Sequence, residues 1–277
     1  MQPDRRGLTG PAVTLPARLL FSCLLVLLAT ACTSLNQRLD GTARQAGLVA
    51  LTLPGGNHAL HSFERQTAGR HALVFIEGDG RPWRAGGRIV SADPTPANPQ
   101  ALKWLQQTSG PALYLGRPCY GNAALPACHP TLWTYSRYSP VIIDSMALGL
   151  KHWLDQHPDI ESVTLAGYSG GGVLALLLGE RDLPVSRVIA LSSPLDIHLW
   201  ADQHGYGRLF NSVNPAEIDS WRADRERHFY FGAQDAKVPP QLFAEAVRDI
   251  PGARLHIIEG IGHQCCSPAI WLSPTTP

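Results

Sequence analysis

The chain has 277 residues, 44% of them hydrophobic, with 23 Lys and Arg against 22 Asp and Glu for a formal net charge of +1. That balance, with no basic run beyond the first twenty residues, argues against a nucleic-acid binder and implies no electrostatic pull toward a membrane surface. The length suits one large domain able to bury most of its apolar surface.

Arg5, Arg6 and Arg18 precede an uncharged, mainly apolar run from Leu19 to Ala31. A basic segment followed by an apolar stretch too short to span a bilayer comfortably is the pattern of an export signal. The run ends in Ala29, Thr30, Ala31 and Cys32. These small residues before a cysteine resemble the lipobox of bacterial lipoproteins, although leucine is commoner than alanine at the position of Ala29. The resemblance implies a signal peptide over residues 1–31, a lipid anchor on Cys32 and a membrane-bound place in the bacterial envelope. An ordinary secretory signal cut near Ala31, giving a soluble secreted or periplasmic protein, is the alternative. Residues 32–46 are mostly polar and are expected to form a tether, leaving 47–277 as the domain.

Beyond Cys23 and Cys32, four cysteines remain: Cys119, Cys128, Cys265 and Cys266. An even remainder in an exported chain favours disulfides. Cys119 with Cys128 is the preferred pairing, because the two bracket a short loop containing Gly, Asn and Pro. Adjacent Cys265 and Cys266 could pair with each other or stay reduced. No Cys-x-x-Cys or His-x-x-x-His spacing accompanies them, so no metal site is expected.

Runs at 47–53 and 58–63 alternate apolar and polar residues around Pro54, Gly55, Gly56 and Asn57, which predicts a β-hairpin. Continuous apolar runs follow at 72–76, 112–115, 163–166, 188–191, 229–231 and 255–258, as strands buried on both faces require. Helical spacing appears between them at 100–106, 141–153, 173–178 and 242–247. Strands alternating with helices predict an α/β domain: a mostly parallel sheet wrapped on both faces, entered through an antiparallel hairpin. The long connection over 195–226 carries Trp200, Tyr206, Phe210 and Trp221, and is expected either to cap a site or to pack on the body.

Gly167, Tyr168, Ser169, Gly170 and Gly171 form G-x-S-x-G directly after the strand at 163–166 and before a helix. The string alone is weak evidence, but its context is that of a nucleophile elbow, where a sharp turn exposes the serine. A serine hydroxyl needs a base, and His263 stands in the loop after the last strand. Asp235, four residues past the strand at 229–231, is the expected acid orienting that histidine, with Asp196 as its rival. Oxyanion donors are expected from the backbone amides of Gly170 and of Asp79 or Gly80, in the loop after the strand at 72–76. That loop opens with Glu77 and Gly78 instead of His-Gly, and the Asp79 carboxylate would repel an oxyanion.

These landmarks make residues 47–271 resemble the α/β-hydrolase superfamily, and within it the bacterial lipoprotein branch. Arg117, Pro118, Cys119, Cys128, Trp133, Arg137, Tyr138 and Ser139 contribute to that likeness, as do Asn214, Pro215 and Ala216. The resemblance implies hydrolysis of a small-molecule carboxylic ester or thioester through an acyl-enzyme, without cofactor. A non-catalytic anchored binding module and a peptidase are the alternatives. Fold alone does not choose among them.

Overall fold

The structure is a computed structural model and describes residues 34–121 and 123–272. The segment read as a signal peptide, and Cys32, lie outside the described residues. Ten strands are described: β1 (Val49–Gly55), β2 (His58–Arg65), β3 (His71–Ile76), β4 (Trp83–Arg84), β5 (Ile89–Val90), β6 (Ala112–Leu115), β7 (Ser162–Tyr168), β8 (Val185–Leu191), β9 (Glu226–Gly232) and β10 (Ala253–Ile258). The helices are α1 (Leu35–Gln45), α2 (Gln100–Gln106), α3 (Pro140–Asp155), α4 (Gly170–Gly179), α5 (Ile197–Gln203), α6 (Pro240–Arg248) and α7 (Pro268–Trp271).

Eight strands form one sheet in the order β1-β2-β6-β3-β7-β8-β9-β10. The β1–β2 and β2–β6 pairs are antiparallel, and every pair from β6 to β10 is parallel. The mostly parallel sheet and its antiparallel entry are therefore as the sequence predicts.

Side chains alternate across a strand, so a buried parallel strand must feed two cores. In β3, Ala72, Val74 and Ile76 join one cluster while Leu73 and Phe75 face the other. In β8, Val188 and Ala190 go one way, Ile189 and Leu191 the other. Ile142, Met146 and Leu150 of α3, α4, and Phe243 and Val247 of α6 complete the first core. Leu39 and Ala43 of α1, Leu102 and Leu105 of α2, and Trp271 complete the second. Helix α4 is buried along its whole length, which explains why it carries no polar face.

One expectation needs correction. The segment read as a tether is helical over Leu35–Gln45, because Leu39 and Ala43, four residues apart, share one face and bury it against the sheet. Asp40 on the same helix contacts His61 Nε2 at 2.6 Å. For the connection over 195–226 the two alternatives both apply, in different parts. Trp200 and Tyr206 line a cavity of about 1080 Å³, and Phe210 stacks on Tyr135 of its wall at 4.8 Å. Trp221 instead lies under the Arg227 guanidinium, 4.8 Å from it. No described helix is long and apolar enough to cross a membrane.

Candidate active site

Strand β7 ends at Tyr168, and α4 begins at Gly170, so a single residue makes the whole turn. That residue, Ser169, sits at φ 51° and ψ −122°. A non-glycine residue at positive φ costs about 1–3 kcal/mol and persists where its surroundings over-determine it. Here the Ser169 N–H donates to Leu191 O at 2.8 Å, and its carbonyl accepts from Gly172 N at 2.9 Å. The turn is also too tight for side chains on its flanks. A Cβ on Gly167 would lie 2.1 Å from Gly171 O, and one on Gly171 would lie 2.3 Å from Ile76 O. Gly167 and Gly171 are thus demanded by backbone contact. The geometry leaves the first amides of α4 without intrahelical partners beside the serine.

His263 follows β10 and faces the acid that follows β9. Its Nδ1 is 2.9 Å from Asp235 Oδ2 and 3.1 Å from Oδ1, so the ring N–H donates to the carboxylate. Asp235 Oδ1 also accepts from Lys237 N and Val238 N, each at 2.9 Å. Burial alone would raise the Asp235 carboxyl. The imidazole and the two amides outweigh it and hold the group below its ordinary value. Asp196 is occupied elsewhere: it caps α5 through His198 N at 2.9 Å and Leu199 N at 3.0 Å. It also accepts from Asn214 Nδ2 at 2.9 Å. Ser169 and His263 line one cavity of about 1080 Å³.

The loop after β3 holds groups that the sequence did not pair. The Asp79 carboxylate accepts from Arg117 Nη1 at 2.9 Å, Arg137 Nη1 at 2.8 Å and Tyr138 Oη at 2.7 Å. Its carbonyl accepts from Tyr120 Oη at 2.9 Å. Arg117 and Arg137 are both buried. Burial would raise Asp79, but the two guanidinium groups and the phenol hold it down at about 2. The negative charge expected to oppose an oxyanion is therefore compensated by two positive ones. Glu77 serves the turn: its carboxylate accepts from Gly78 N at 3.1 Å and from Ala101 N, in the first turn of α2, at 3.0 Å. Gly80 lies at φ 62° beside Asp79, and both line the cavity.

Arg117, Tyr120, Arg137 and Tyr138 had no assigned role in the sequence. The available signal was the cluster of Arg, Tyr and Trp over 117–138, which carried a likeness but named no partner. Nearby, Cys119 and Cys128 form a disulfide with Cα atoms 5.5 Å apart, within the range that bond requires. It braces the same loop. Cys265 and Cys266 are paired with each other and buried, and Trp271 Nε1 donates to Cys266 O at 3.2 Å.

Two excursions wall the cavity. One is the β4–β5 hairpin, carrying Arg81, Trp83 and Arg84; the other is α5 and the turn after it, carrying Trp200, His204 and Tyr206. Trp200 Nε1 and His204 Nε2 reach Lys237 O at 2.9 and 2.8 Å, which ties α5 to the loop bearing Asp235.

No protein-family model matches the chain, and no curated protein matches it. Solved structures do. The esterase Pf2001 of Pyrococcus furiosus aligns over 79% of this chain and 84% of its own, with 11% identity and a TM-score of 0.57. A bacterial membrane phospholipase A aligns over 92% and 94%, with 14% identity and a TM-score of 0.54. The proline iminopeptidase of Mycobacterium smegmatis aligns over 78% and 92%, with 14% identity and a TM-score of 0.50. Together with the strand order, these likenesses establish the α/β-hydrolase fold for this chain.

Proposed function

We propose that the chain is a serine hydrolase that cleaves a carboxylic ester or thioester through an acyl-enzyme. Ser169 attacks the acyl carbonyl, His263 takes its proton and returns it to the leaving group, and Asp235 fixes the imidazole tautomer. The amides of Gly170 and of Asp79 or Gly80 bind the oxyanion. The observation that carries the reading is the 2.9 Å contact of His263 Nδ1 with Asp235, in a cavity that His263 shares with a strained Ser169. An imidazole whose Nδ1–H is held by a carboxylate presents Nε2 as the basic nitrogen, which is the form nucleophilic catalysis uses.

The test is labelling by a fluorophosphonate, which reacts with an activated serine and ignores an inert one. Labelling of the wild type that disappears in Ser169→Ala and in His263→Ala supports the reading. A folded wild type that is not labelled refutes it and favours a binding module. A panel of matched esters and amides then separates an esterase from a peptidase.

Anchoring through a lipid on Cys32 belongs to the same proposal and rests on the sequence around that residue. Incorporation of an alkynyl fatty acid in a bacterial host, abolished by Cys32→Ser, checks it.

A further inference from the structure

The acids around the cavity are all engaged, and its unengaged charges are all positive. Asp79 is held by Arg117 and Arg137, Asp235 by His263, and Glu77 by backbone amides. Arg81, Arg84 and Lys237 also line the cavity, are exposed, and among the described residues take part in no ion pair. They come from two different segments of the chain. Arg81 and Arg84 belong to the β4–β5 hairpin segment, a stretch from 80 to 92 without a single Asp or Glu. Lys237 stands on the loop clamped to α5 by Trp200 and His204.

The placement of the hairpin is not accidental to the fold. Arg81 N donates to Pro94 O at 2.8 Å, Ser91 N donates to Pro82 O at 3.0 Å, and Ser91 O accepts from Trp133 Nε1 at 3.0 Å. Trp83 packs edge-on against Tyr135 at 5.5 Å. The two arginines are thus carried by a braced segment at the cavity wall. Charges of one sign in a concave site concentrate ligands of the other sign by about 10–10³-fold.

We infer that the cavity selects an anionic substrate: an ester that carries, away from its scissile bond, a carboxylate or phosphate received by Arg81, Arg84 and Lys237. The inference deepens the serine-hydrolase reading by naming a substrate class, but its test does not depend on turnover. The anion could belong to a small soluble ester or to a lipid headgroup, and the two are tested apart.

Binding to Ser169→Ala is measured by NMR titration with two matched pairs. Monoethyl succinate against its neutral analogue ethyl levulinate tests the soluble ester. Dihexanoyl phosphatidylglycerol against dihexanoyl phosphatidylcholine, both below their micelle concentrations, tests the headgroup. The expected result is a preference of at least about tenfold for the anion in one pair. It should fall by about tenfold in Arg81→Gln/Arg84→Gln and shrink at about 0.5 M salt. Arg88→Gln, exposed on the same hairpin outside the cavity, should leave it intact. No preference in either pair, or an equal loss in Arg88→Gln, overturns the inference. A preference found in Ser169→Ala while fluorophosphonate fails to label the folded wild type refutes the hydrolase reading and leaves the anion site standing.

Discussion

The carboxylate of Asp79 lies 2.8 Å from the guanidinium of Arg137, with Arg117 on its other oxygen. Removing one member of a buried ion cluster leaves charge without compensation, at a cost of about 3–5 kcal/mol. Asp79→Asn and Arg137→Gln are therefore expected to lower the urea midpoint strongly. The acid dependence has a definite sign. Asp79 titrates at about 2 when folded against 3.8 when free. Its contribution, roughly 2 kcal/mol, is complete above 3.8 and is lost as pH falls through 2. Urea unfolding between pH 5 and 2 checks both points, since the Asn variant lacks that slope.

Asp235→Asn is expected to reduce turnover by about 10⁴ while the protein remains folded, because an amide reverses the tautomer preference of His263. Asp196→Asn should leave turnover within about threefold of the wild type. It costs about 1 kcal/mol or less through the weakened cap on α5. Steady-state kinetics on an activated ester beside thermal unfolding distinguishes the two acids. Equal losses in turnover would refute the assignment.

Glu77 works in the opposite direction from Asp79. Burial pushes its carboxyl up to about 7, against 4.5 when free, although the amides of Gly78 and Ala101 pull it down. A raised acid favours the folded state most below 4.5, and stability declines as pH rises from 4.5 to 7, by roughly 3 kcal/mol. Glu77→Gln should flatten that decline. Guanidinium unfolding at pH 4.5, 6 and 7.5 for both proteins provides the measurement.

The Cys119–Cys128 bond closes a separation of 9 residues. In the chain-entropy model its removal costs roughly 2.5–3 kcal/mol. The double variant Cys119→Ser/Cys128→Ser is expected to show that loss in its urea midpoint, with a larger loss in turnover if the loop bearing Arg117 relaxes. An unchanged midpoint would mean that packing of Trp133 and Tyr120 alone holds the loop.

The sheet was legible because burial on both faces forces a run of apolar residues, and 112–115 coincides with β6 to the residue. Strands β7, β8 and β9 run further than their apolar cores because Ser162, Ser186 and Glu226, at or near their first residues, reach solvent or polar partners. Helix α1 was missed because Leu35, Leu39 and Ala43 form a thin stripe in a segment that is otherwise polar or glycine. Helix α5 was hidden inside a long connection, since its stability comes from the Asp196 cap and from contacts with Lys237, neither of which is periodic. Ser169, Asp235 and His263 were picked out as residue types expected at strand ends, and the structure places them on turns after β7, β9 and β10. The clamp on Asp79 was not, because it joins residue 79 to residues 117, 137 and 138, and pattern along the chain does not report pairing across it.

The division of labour between frame and excursions has a practical consequence. Ser169, Asp235 and His263 hang from turns at the ends of β7, β9 and β10, whereas Arg81, Trp83, Arg84, Trp200 and Tyr206 stand on segments inserted between strands. Sequence libraries confined to 81–88 and 205–209, which spare the Trp200 and His204 contacts with Lys237 O, would vary the cavity wall and leave the turns alone. The molecule is in that sense modular for directed evolution: appetite and bite can be selected one at a time.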